Sequence, residues 1–539
     1  MSKTRIVPIG GLGEFGANAT VIAYEDDAIL IDFGLMFPPD QRQPGVDYYI
    51  NDPKTLLERF PCLSGVFVTH GHEDHIGGLP FLMREKRLPL YALPYTQAFL
   101  ATNTRETAWQ FQEVAFDRPI HHGPFTVQFV GMTHSFAQAA LLVIDTPDGR
   151  VVHSGDFKVD PCQGDGTPFP SARLEQLGRE GVDVLLMDST NSTRRGFSGS
   201  EADLEPAFEE LFHQTKGRLF VTTFSSSMPR LLSLMKMARK HQRQAGFIGR
   251  SFQRHLQAVQ QSEYPLPLDE ILALEQLSYL KDHQVLYFIT GSQGEAKAAL
   301  AKLARGPFRG IQLKPSDTVL FSARPIPGNE RTIGLLQSSL LEQHIQVIPS
   351  VSKVNHVSGH AYREEQRYLV QLLKPGTVIP IHGEHSMLES AGAALSPEDK
   401  QTRWVRARNG DELILGRFGV HVHHHFDGAL LPIDGNQECP VPPQVLKERK
   451  DMMYSGLILI SKTKRHGRLQ FNMDTLGIAE AHPGRLVEQL QAFLKKTERE
   501  NPQLLEQPQS LLTLIKSQLK HLHAGKPRVK LVNEGEIIT

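Results

Sequence analysis

Short apolar runs that each end in a polar or charged residue set the pattern of the first half of the chain. Residues 18–24 are β-branched and alternate as a strand, Ala28-Ile29-Leu30-Ile31 runs into Asp32, and Ser64-Gly65-Val66-Phe67-Val68 runs into Thr69 and His70. Apolar runs of this length bounded by turn residues predict buried strands. Gly77-Gly78 then breaks the pattern, and the amphipathic stretch up to Leu88 predicts a helix. Further on, residues 125–130 lead to His134, Val151-Val152 leads to Asp156, residues 182–187 lead to Asp188, and Val378-Ile379-Pro380-Ile381 leads to His382. Between these, residues 219–224, 245–249, 284–289 and 317–321 predict strands that alternate with helical stretches, the layout of a parallel α/β sheet. The expected class is α/β, with chemistry-bearing residues at strand ends.

The densest of these ends is Thr69-His70-Gly71-His72-Glu73-Asp74-His75. Unpaired imidazoles and carboxylates are costly to bury, so their clustering points to a metal, against the alternative of a polar, histidine-rich surface loop. In an extended segment His70 and His72 share a face and can grip one ion, while Asp74 and His75, past a bend, can grip a second. Asp32 is read as a group orienting this loop, with a turn cap as the alternative. Gly11-Leu12-Gly13-Glu14-Phe15-Gly16 fits the G-x-G-x-x-G spacing, but a strand follows it where a dinucleotide fingerprint must open a helix, so no nucleotide cofactor is expected.

Composition adds boundaries. At 539 residues the chain exceeds one core and predicts two or three domains. A net charge of -1 does not mark a nucleic-acid binder, so any such surface must be local. The three cysteines, Cys62, Cys162 and Cys439, are scattered and odd in number, which fits a reducing cytoplasm, and no apolar run reaches the roughly 18 residues of a membrane span. Residues 211–262 contain nine Lys or Arg and no Asp or Glu: Lys216, Arg218, Arg230, Lys236, Arg239, Lys240, Arg243, Arg250 and Arg254. That run predicts a polyanion-facing wall, against a solvated helix face. Ser225-Ser226-Ser227 and the loop 290–295 suit backbone approach to phosphate, or serve as plain turn caps.

The metal loop with Asp32, His134 and Asp156 resembles the core set of the metallo-β-lactamase superfamily. Asp188 in Asp-Ser-Thr-Asn, His360 in His-Val-Ser-Gly-His and His382 in His-Gly-Glu resemble the added motifs of the β-CASP nucleases. Gly10-Gly11-Leu12-Gly13-Glu14, Gly34-Leu35-Met36-Phe37-Pro38, Thr290-Gly291-Ser292-Gln293-Gly294-Glu295 and Pro325-Ile326-Pro327-Gly328-Asn329-Glu330 narrow the resemblance to the ribonuclease J family over residues 5–460, with a weaker match beyond. The resemblance implies an αββα sandwich (1–192 and 366–436) with an inserted β-CASP α/β domain (193–365). A Pro-rich linker (437–446) and a small C-terminal α/β domain (447–539) are expected to follow.

It also implies an RNA-degrading enzyme with 5'-to-3' exonuclease and endonuclease activity. On that assignment His70, His72 and His134 hold one metal, Asp74, His75 and His382 the other, and Asp156 bridges them. Two Zn2+ per subunit suit the donors, and the oxygen ligands also suit Mn2+. Asp74, His360, Asp188 and Asp32 are the catalytic candidates, with His360 contacting the phosphate and protonating the departing oxygen. His356, Ser358, Gly359, His360, Ser225, Ser226, Arg230 and Arg250 are the substrate-binding candidates. The small neutral donors among them predict a preference for RNA with a 5'-monophosphate. A homodimer or homotetramer is expected, assisted by the C-terminal domain. One departure stands out: the family commonly continues the third motif as His-Ser-Ile-Pro-Asp-Ser, and here it is His134-Ser135-Phe136-Ala137-Gln138-Ala139, which bears on substrate positioning or turnover. The histidines 421, 423, 424 and 425 read as an exposed strand edge. A small-molecule metallohydrolase and a non-catalytic RNA-binding subunit are the alternative functions.

Overall fold

The computed structural model describes residues 3–38, 43–102, 109–326, 328–351, 353–395, 402–416, 419–465, 468–478, 483–521, 528–533 and 536–538. Pro327, part of a motif quoted above, lies outside them. The chain divides into two compact units, Met1–Met36 with Ile50–Leu430, and Phe37–Tyr49 with Leu431–Thr539.

Two sheets form the base of the first unit. Among the described residues, one has eight strands in the order Gly419–His425, Asp411–Gly416, Arg5–Gly10, Ala19–Tyr24, Asp27–Ile31, Leu63–Phe67, Pro89–Tyr91 and Gln110–Gln112. The other has seven: Arg403–Trp404, Thr377–Ile381, Val184–Asp188, Gly149–His153, Ala140–Thr146, Phe125–Gly131 and Ile120–His122. Their facing sides share a core in which Ile22, Ile29, Ile31 and Phe67 meet Phe125, Val127, Phe129, Leu142 and Leu186. Because side chains alternate along a strand, Leu185 and Met187 point the other way, into a second core closed by the helices Ser171–Glu180 and Arg363–Leu373. Val21, Leu30 and Val66 likewise pack outward against Leu79, Leu82 and Phe99 of the helices Leu79–Glu85 and Pro94–Ala101. Burial on both faces explains why these strands read as continuous apolar runs. The result is the expected helix–sheet–sheet–helix sandwich.

A third sheet lies in the interrupting segment. Its five strands are all parallel, in the order Gln244–Ile248, Val285–Ile289, Leu219–Thr222, Thr318–Phe321 and Gln346–Ile348. The strand expected over 219–224 stops at Thr222, because Phe224 O accepts a 3.0 Å bond from Ser227 N and closes a turn. The metal loop also departs from expectation: its second half coils into the short helix Glu73–Ile76 before the glycine pair. Gly11–Gly16 is followed by the strand Ala19–Tyr24, as the β-branched pattern required. Gly419–His425 sits at a sheet edge with its histidines largely exposed, and His425 is held by Asp411 at 2.7 Å.

In the second unit the strands Arg468–Leu476, Leu457–Arg465, Arg528–Asn533 and Glu536–Ile538 form a sheet. Ile458 and Ile460 pack there on Leu490 and Leu494 of the helix Pro483–Glu500 and on Leu512 and Ile515 of Pro508–His521. Residues 37–49 join this unit through Asp47, whose N donates to Ile433 O (2.9 Å) and whose carboxylate accepts from Gly435 N (2.7 Å). Among the described residues no helix is long and apolar enough to cross a membrane.

Candidate active site

Strand register brings the chemistry-bearing loops to one edge. Asp27–Ile31 and Leu63–Phe67 run parallel with Ile31 beside Phe67, so Asp32 and the loop beginning at Val68 leave the sheet together. In the second sheet Gly149–His153, Val184–Asp188 and Thr377–Ile381 are parallel, with His153 beside Leu186 and Asp188 beside Ile381. Asp156, Asp188 and His382 therefore leave their strands at the same end, the usual place for a site in parallel α/β structure. Asp32 and His382 hold left-handed backbone at φ 57° and 53°, a conformation that costs a non-glycine residue about 1–3 kcal/mol and turns both side chains into the site. Gly34 is required where it is, since a Cβ there would stand 1.6 Å from Asp74 O.

Two imidazole-rich donor sets result, and they share a residue. His70, His72, His134 and Asp156 form one group and Asp74, His75, Asp156 and His382 the other, while a third group, Asp156, Asp188, His360 and His382, overlaps them; in each the donor atoms lie within 4.8 Å of one another. In the first, His70 Nε2 and His134 Nε2 lie 3.0 and 3.2 Å from His72 Nδ1. In the second, Asp74 Oδ2 is 3.7 Å from His75 Nε2 and 3.3 Å from His382 Nε2. Asp156 Oδ2 stands between the sets, 3.5 Å from His70 Nε2 and 3.3 Å from His75 Nε2, buried and without a hydrogen-bond partner among the described residues. An ionised oxygen left bare among converging ring nitrogens fits divalent cations on both sides of it, because burial of an unpaired charge is otherwise costly.

The electrostatics sort the imidazoles. Burial, with the neighbouring His75, holds His70 well below the ordinary imidazole range; burial does the same to His134 and pushes His72 down to about 4. These three are neutral, the form in which imidazole ligates metal. Burial also opposes protonation of His382, but Asp156, Asp74 and Asp188 outweigh it and push its pKa up to about 10. Asp156 is kept ionised against burial by His382, His75, His360 and His70.

The outer contacts are specific. Asp32 accepts from Thr69 N and Oγ1 (both 2.8 Å) and sits 2.7 Å from His75 Nδ1, so it fixes both the loop's entry and one ring. His360 Nδ1 lies 3.0 Å from Asp188 Oδ2. Burial lowers the His360 pKa, but Asp188 and Asp156 raise it further, for a net rise. Ser358 Oγ accepts from His360 N (3.1 Å) and Asn191 Nδ2 (2.9 Å), and Asn191 is held in turn by Arg324 (2.8 Å). Asn18 was not legible in the sequence: its amide donates to Asp74 O and lies 3.2 Å from His75 Nε2, a meeting created by packing across 56 and 57 positions.

The basic run needs correction. Acids from outside it meet five of its members: Asp317 pairs with Arg218, Glu201 with Arg230, Glu270 with Arg239, Glu209 with Lys240 and Glu73 with Arg254. Arg230 is 2 % exposed, bidentate to Glu201 at 2.7 Å, and bonded to Ser322 O and Val357 O, so its guanidinium is committed to the fold's interior. Arg243 is also buried and donates to the carbonyls of Thr215, Gly217 and Val285. His356 is buried beside Arg230, at 3.3 Å, and burial with that cation holds its pKa well below the ordinary imidazole range. Arg250 is exposed, at the start of the helix Arg250–Ser262, with no carboxylate partner among the described residues. Ser225 and Ser226 are half-buried, and the Ser226 hydroxyl lies 3.0 Å from His72 Nε2.

The segment that departs from the family pattern is packed. Phe136 lies edge-on to His70 and His72 and contacts Tyr95, Phe99 and His255. It needs Gly71, where a Cβ would come within 2.4 Å of its ring. Gln138, in left-handed conformation, accepts from Tyr95 N at 2.8 Å near the start of the helix Pro94–Ala101.

Comparison with known proteins agrees with this geometry. Residues 12–201 match the metallo-beta-lactamase superfamily, 216–340 the family described as Ribonuclease J, beta-CASP domain, and 344–405 the Zn-dependent metallo-hydrolase RNA specificity domain. A crystal structure of a protein of unknown function from Enterococcus faecalis shares the fold, with a TM-score of 0.54 and 17% identity over 77% of this chain and all of that one. The fold and paired donor sets thus define a metallo-β-lactamase-type protein, binding divalent metal, with an inserted β-CASP domain. Ribonuclease J of Helicobacter pylori is 31% identical over 95% of this chain and 76% of its own. That of Thermus thermophilus is 35% identical over 85% and 82%, and that of Synechocystis 36% over 85% and 72%. The chain belongs to the ribonuclease J family.

Burial separates the arginines by role. Neutralising Arg250 with Gln should flatten the log-log salt dependence of single-stranded RNA binding by roughly 0.7. Arg243→Gln should leave that slope unchanged and lower thermal stability instead. Titrations of RNA binding at several salt concentrations, with melting curves of both variants, read the difference.

Proposed function

We propose that the chain is a two-cation ribonuclease that digests RNA from its 5' end and also cleaves internally, giving 5'-phosphate and 3'-hydroxyl products. Family membership makes it a metal-dependent ribonuclease; the number and identity of the cations and the roles of individual residues are the proposal. The observation that carries it is Asp156 Oδ2, bare and shared by both donor sets. His70, His72 and His134 would hold one cation with Asp156, and Asp74, His75 and His382 the other. Zinc suits this mixture of imidazole and carboxylate, and the oxygen donors also admit manganese. Such cations supply Lewis acidity that lowers the pKa of water toward about 7 and offsets the charge of the phosphodiester.

The protein's own groups do the rest. Asp188 accepts from His360 Nδ1 and orients the ring, which leaves Nε2 to meet the scissile phosphate and to pass a proton to the departing 3' oxygen. Asp32 works through His75 and Thr69 and is a positioning residue. Ser358, Gly359, Ser225 and Ser226 are the small neutral groups assigned to a terminal monophosphate. Arg250 contacts the RNA backbone further out. The scattered cysteines support a cytoplasmic protein, and we propose a homodimer or homotetramer.

Replacing Asp74 and His75 together by Ala is expected to abolish RNA cleavage while RNA binding and the fold persist. Cleavage at the wild-type rate after stringent chelation would refute the two-cation reading. The 5'-end preference is checked separately, with one RNA labelled at each end and supplied in 5'-monophosphate and 5'-triphosphate forms. Mononucleotides should be released faster from the monophosphate form, and internal cuts should differ less. Equal release would remove that assignment.

A further inference from the structure

The two donor sets are supported from different parts of the chain. A neutral imidazole that gives one nitrogen to a metal carries its proton on the other, and the group accepting that proton fixes both tautomer and ring orientation. In the set His70, His72 and His134, two of the three outer nitrogens are met by the inserted segment. His72 Nε2 lies 3.0 Å from Ser226 Oγ, a residue 154 positions away, and His134 Nδ1 lies 2.6 Å from Gly359 O, 225 positions away. The remaining ring, His70, turns Nδ1 to the adjacent Thr69 Oγ1 at 3.1 Å. In the other set no such dependence exists among the described residues. His75 Nδ1 lies 2.7 Å from Asp32 Oδ2, and His382 Nδ1 lies 2.8 Å from Asp156 Oδ1, both within the sandwich that supplies the ligands themselves.

The two contacts from the insert are mechanically joined. Ser226 lies in a tight turn, with Met228 N donating to Ser226 O at 2.8 Å, and the helix Met228–Lys240 starts there. Four residues on, Arg230 reaches Val357 O at 3.3 Å and Ser322 O at 3.0 Å, tying that helix to the segment carrying Gly359. Its bidentate partner Glu201 receives a further tie from the sandwich: Glu201 N donates to Asp160 Oδ2 at 3.0 Å, and Lys158 bridges Asp160 at 2.7 Å and Glu201 at 3.8 Å. The Ser226 turn and the Gly359 loop thus form one buttress, anchored by a buried ionic network beside the Asp156 loop. This gives the buried Arg230 its place.

We infer that the seating of the inserted segment on the sandwich, through Ser226 and the Gly359 carbonyl, sets the cation affinity of the His70, His72 and His134 site and leaves the Asp74, His75 and His382 site independent. Ser226 is a positioning residue for His72, a role distinct from any contact with substrate phosphate. Linkage makes the effect reciprocal: filling that one site holds the insert down, and filling the other does not. The inference rests on the two-cation reading.

Metal binding itself is the test. The full chain is stripped with chelator and titrated with Zn2+ against a chromophoric competitor, alongside Ser226→Ala. The wild type should take up two equivalents, and Ser226→Ala should weaken one of them by about 10–100-fold and leave the other unchanged. Combining Ser226→Ala with Asp74→Ala, which disables the independent site, should retain the weakened equivalent; combining it with His134→Ala should retain the unaffected one. In the wild-type chain, amide protection at residues 224–228 and 356–360 should rise as Zn2+ is added. The same rise should survive in Asp74→Ala and vanish in His134→Ala. A wild type that binds a single equivalent refutes the two-cation reading and this inference with it. Two equivalents in the wild type, with Ser226→Ala unchanged or weakened equally at both, refute the inference alone.

Discussion

One carboxylate oxygen organises the site. Asp156 Oδ2 is buried, ionised and without a hydrogen bond among the described residues, and ring nitrogens of His70, His75 and His134 face it at 3.5, 3.3 and 3.8 Å. A bare buried anion of this kind is strongly unfavourable unless positive charge compensates it. The other oxygen is already committed to His382 Nδ1 at 2.8 Å, so compensation falls on the shared atom. Divalent cations held by the surrounding imidazoles are suited to supply that charge. The geometry of the surrounding loops is the means by which the fold keeps this oxygen central.

The sandwich does so with little elaboration. Parallel neighbours in each sheet deliver their C-terminal ends to a common edge, and two left-handed residues, Asp32 and His382, turn the side chains inward. The inserted α/β segment adds the wall that a small-molecule hydrolase of this fold does not need. It contributes His360 and Ser358 from one loop and Ser226 from another. Its ionic interior is centred on Arg230 and Glu201, and removing either partner would leave a buried charge unpaired.

What could be read from the sequence follows from how local each signal is. The metal loop was legible because its ligands fall within a few positions, and Asp156, Asp188 and His382 were legible because each ends an apolar run. The parallel inserted sheet was equally visible, since strands buried on both faces are continuously apolar, whereas the sandwich was implied by the family resemblance. The charge run misled because a window of residues 211–262 excludes the acids that meet it: Glu209 and Glu270 lie just outside, Asp317 lies well beyond its end, and Glu73 comes from the metal loop. Asn18 beside His75, Phe136 against His72 and Ser226 against the same ring are products of tertiary packing, with no spacing to announce them.

The central claim is that one oxygen serves two cations, and the metal stoichiometry of an Asp156→Asn variant tests it most directly. Asn preserves the shape while removing the charge, so packing is largely kept. Wild-type chain reloaded with Zn2+ and dialysed should retain two equivalents, and Asp156→Asn should lose affinity at both together. Retention of one equivalent at the wild-type affinity in Asp156→Asn would contradict the account, because the oxygen would then belong to a single site.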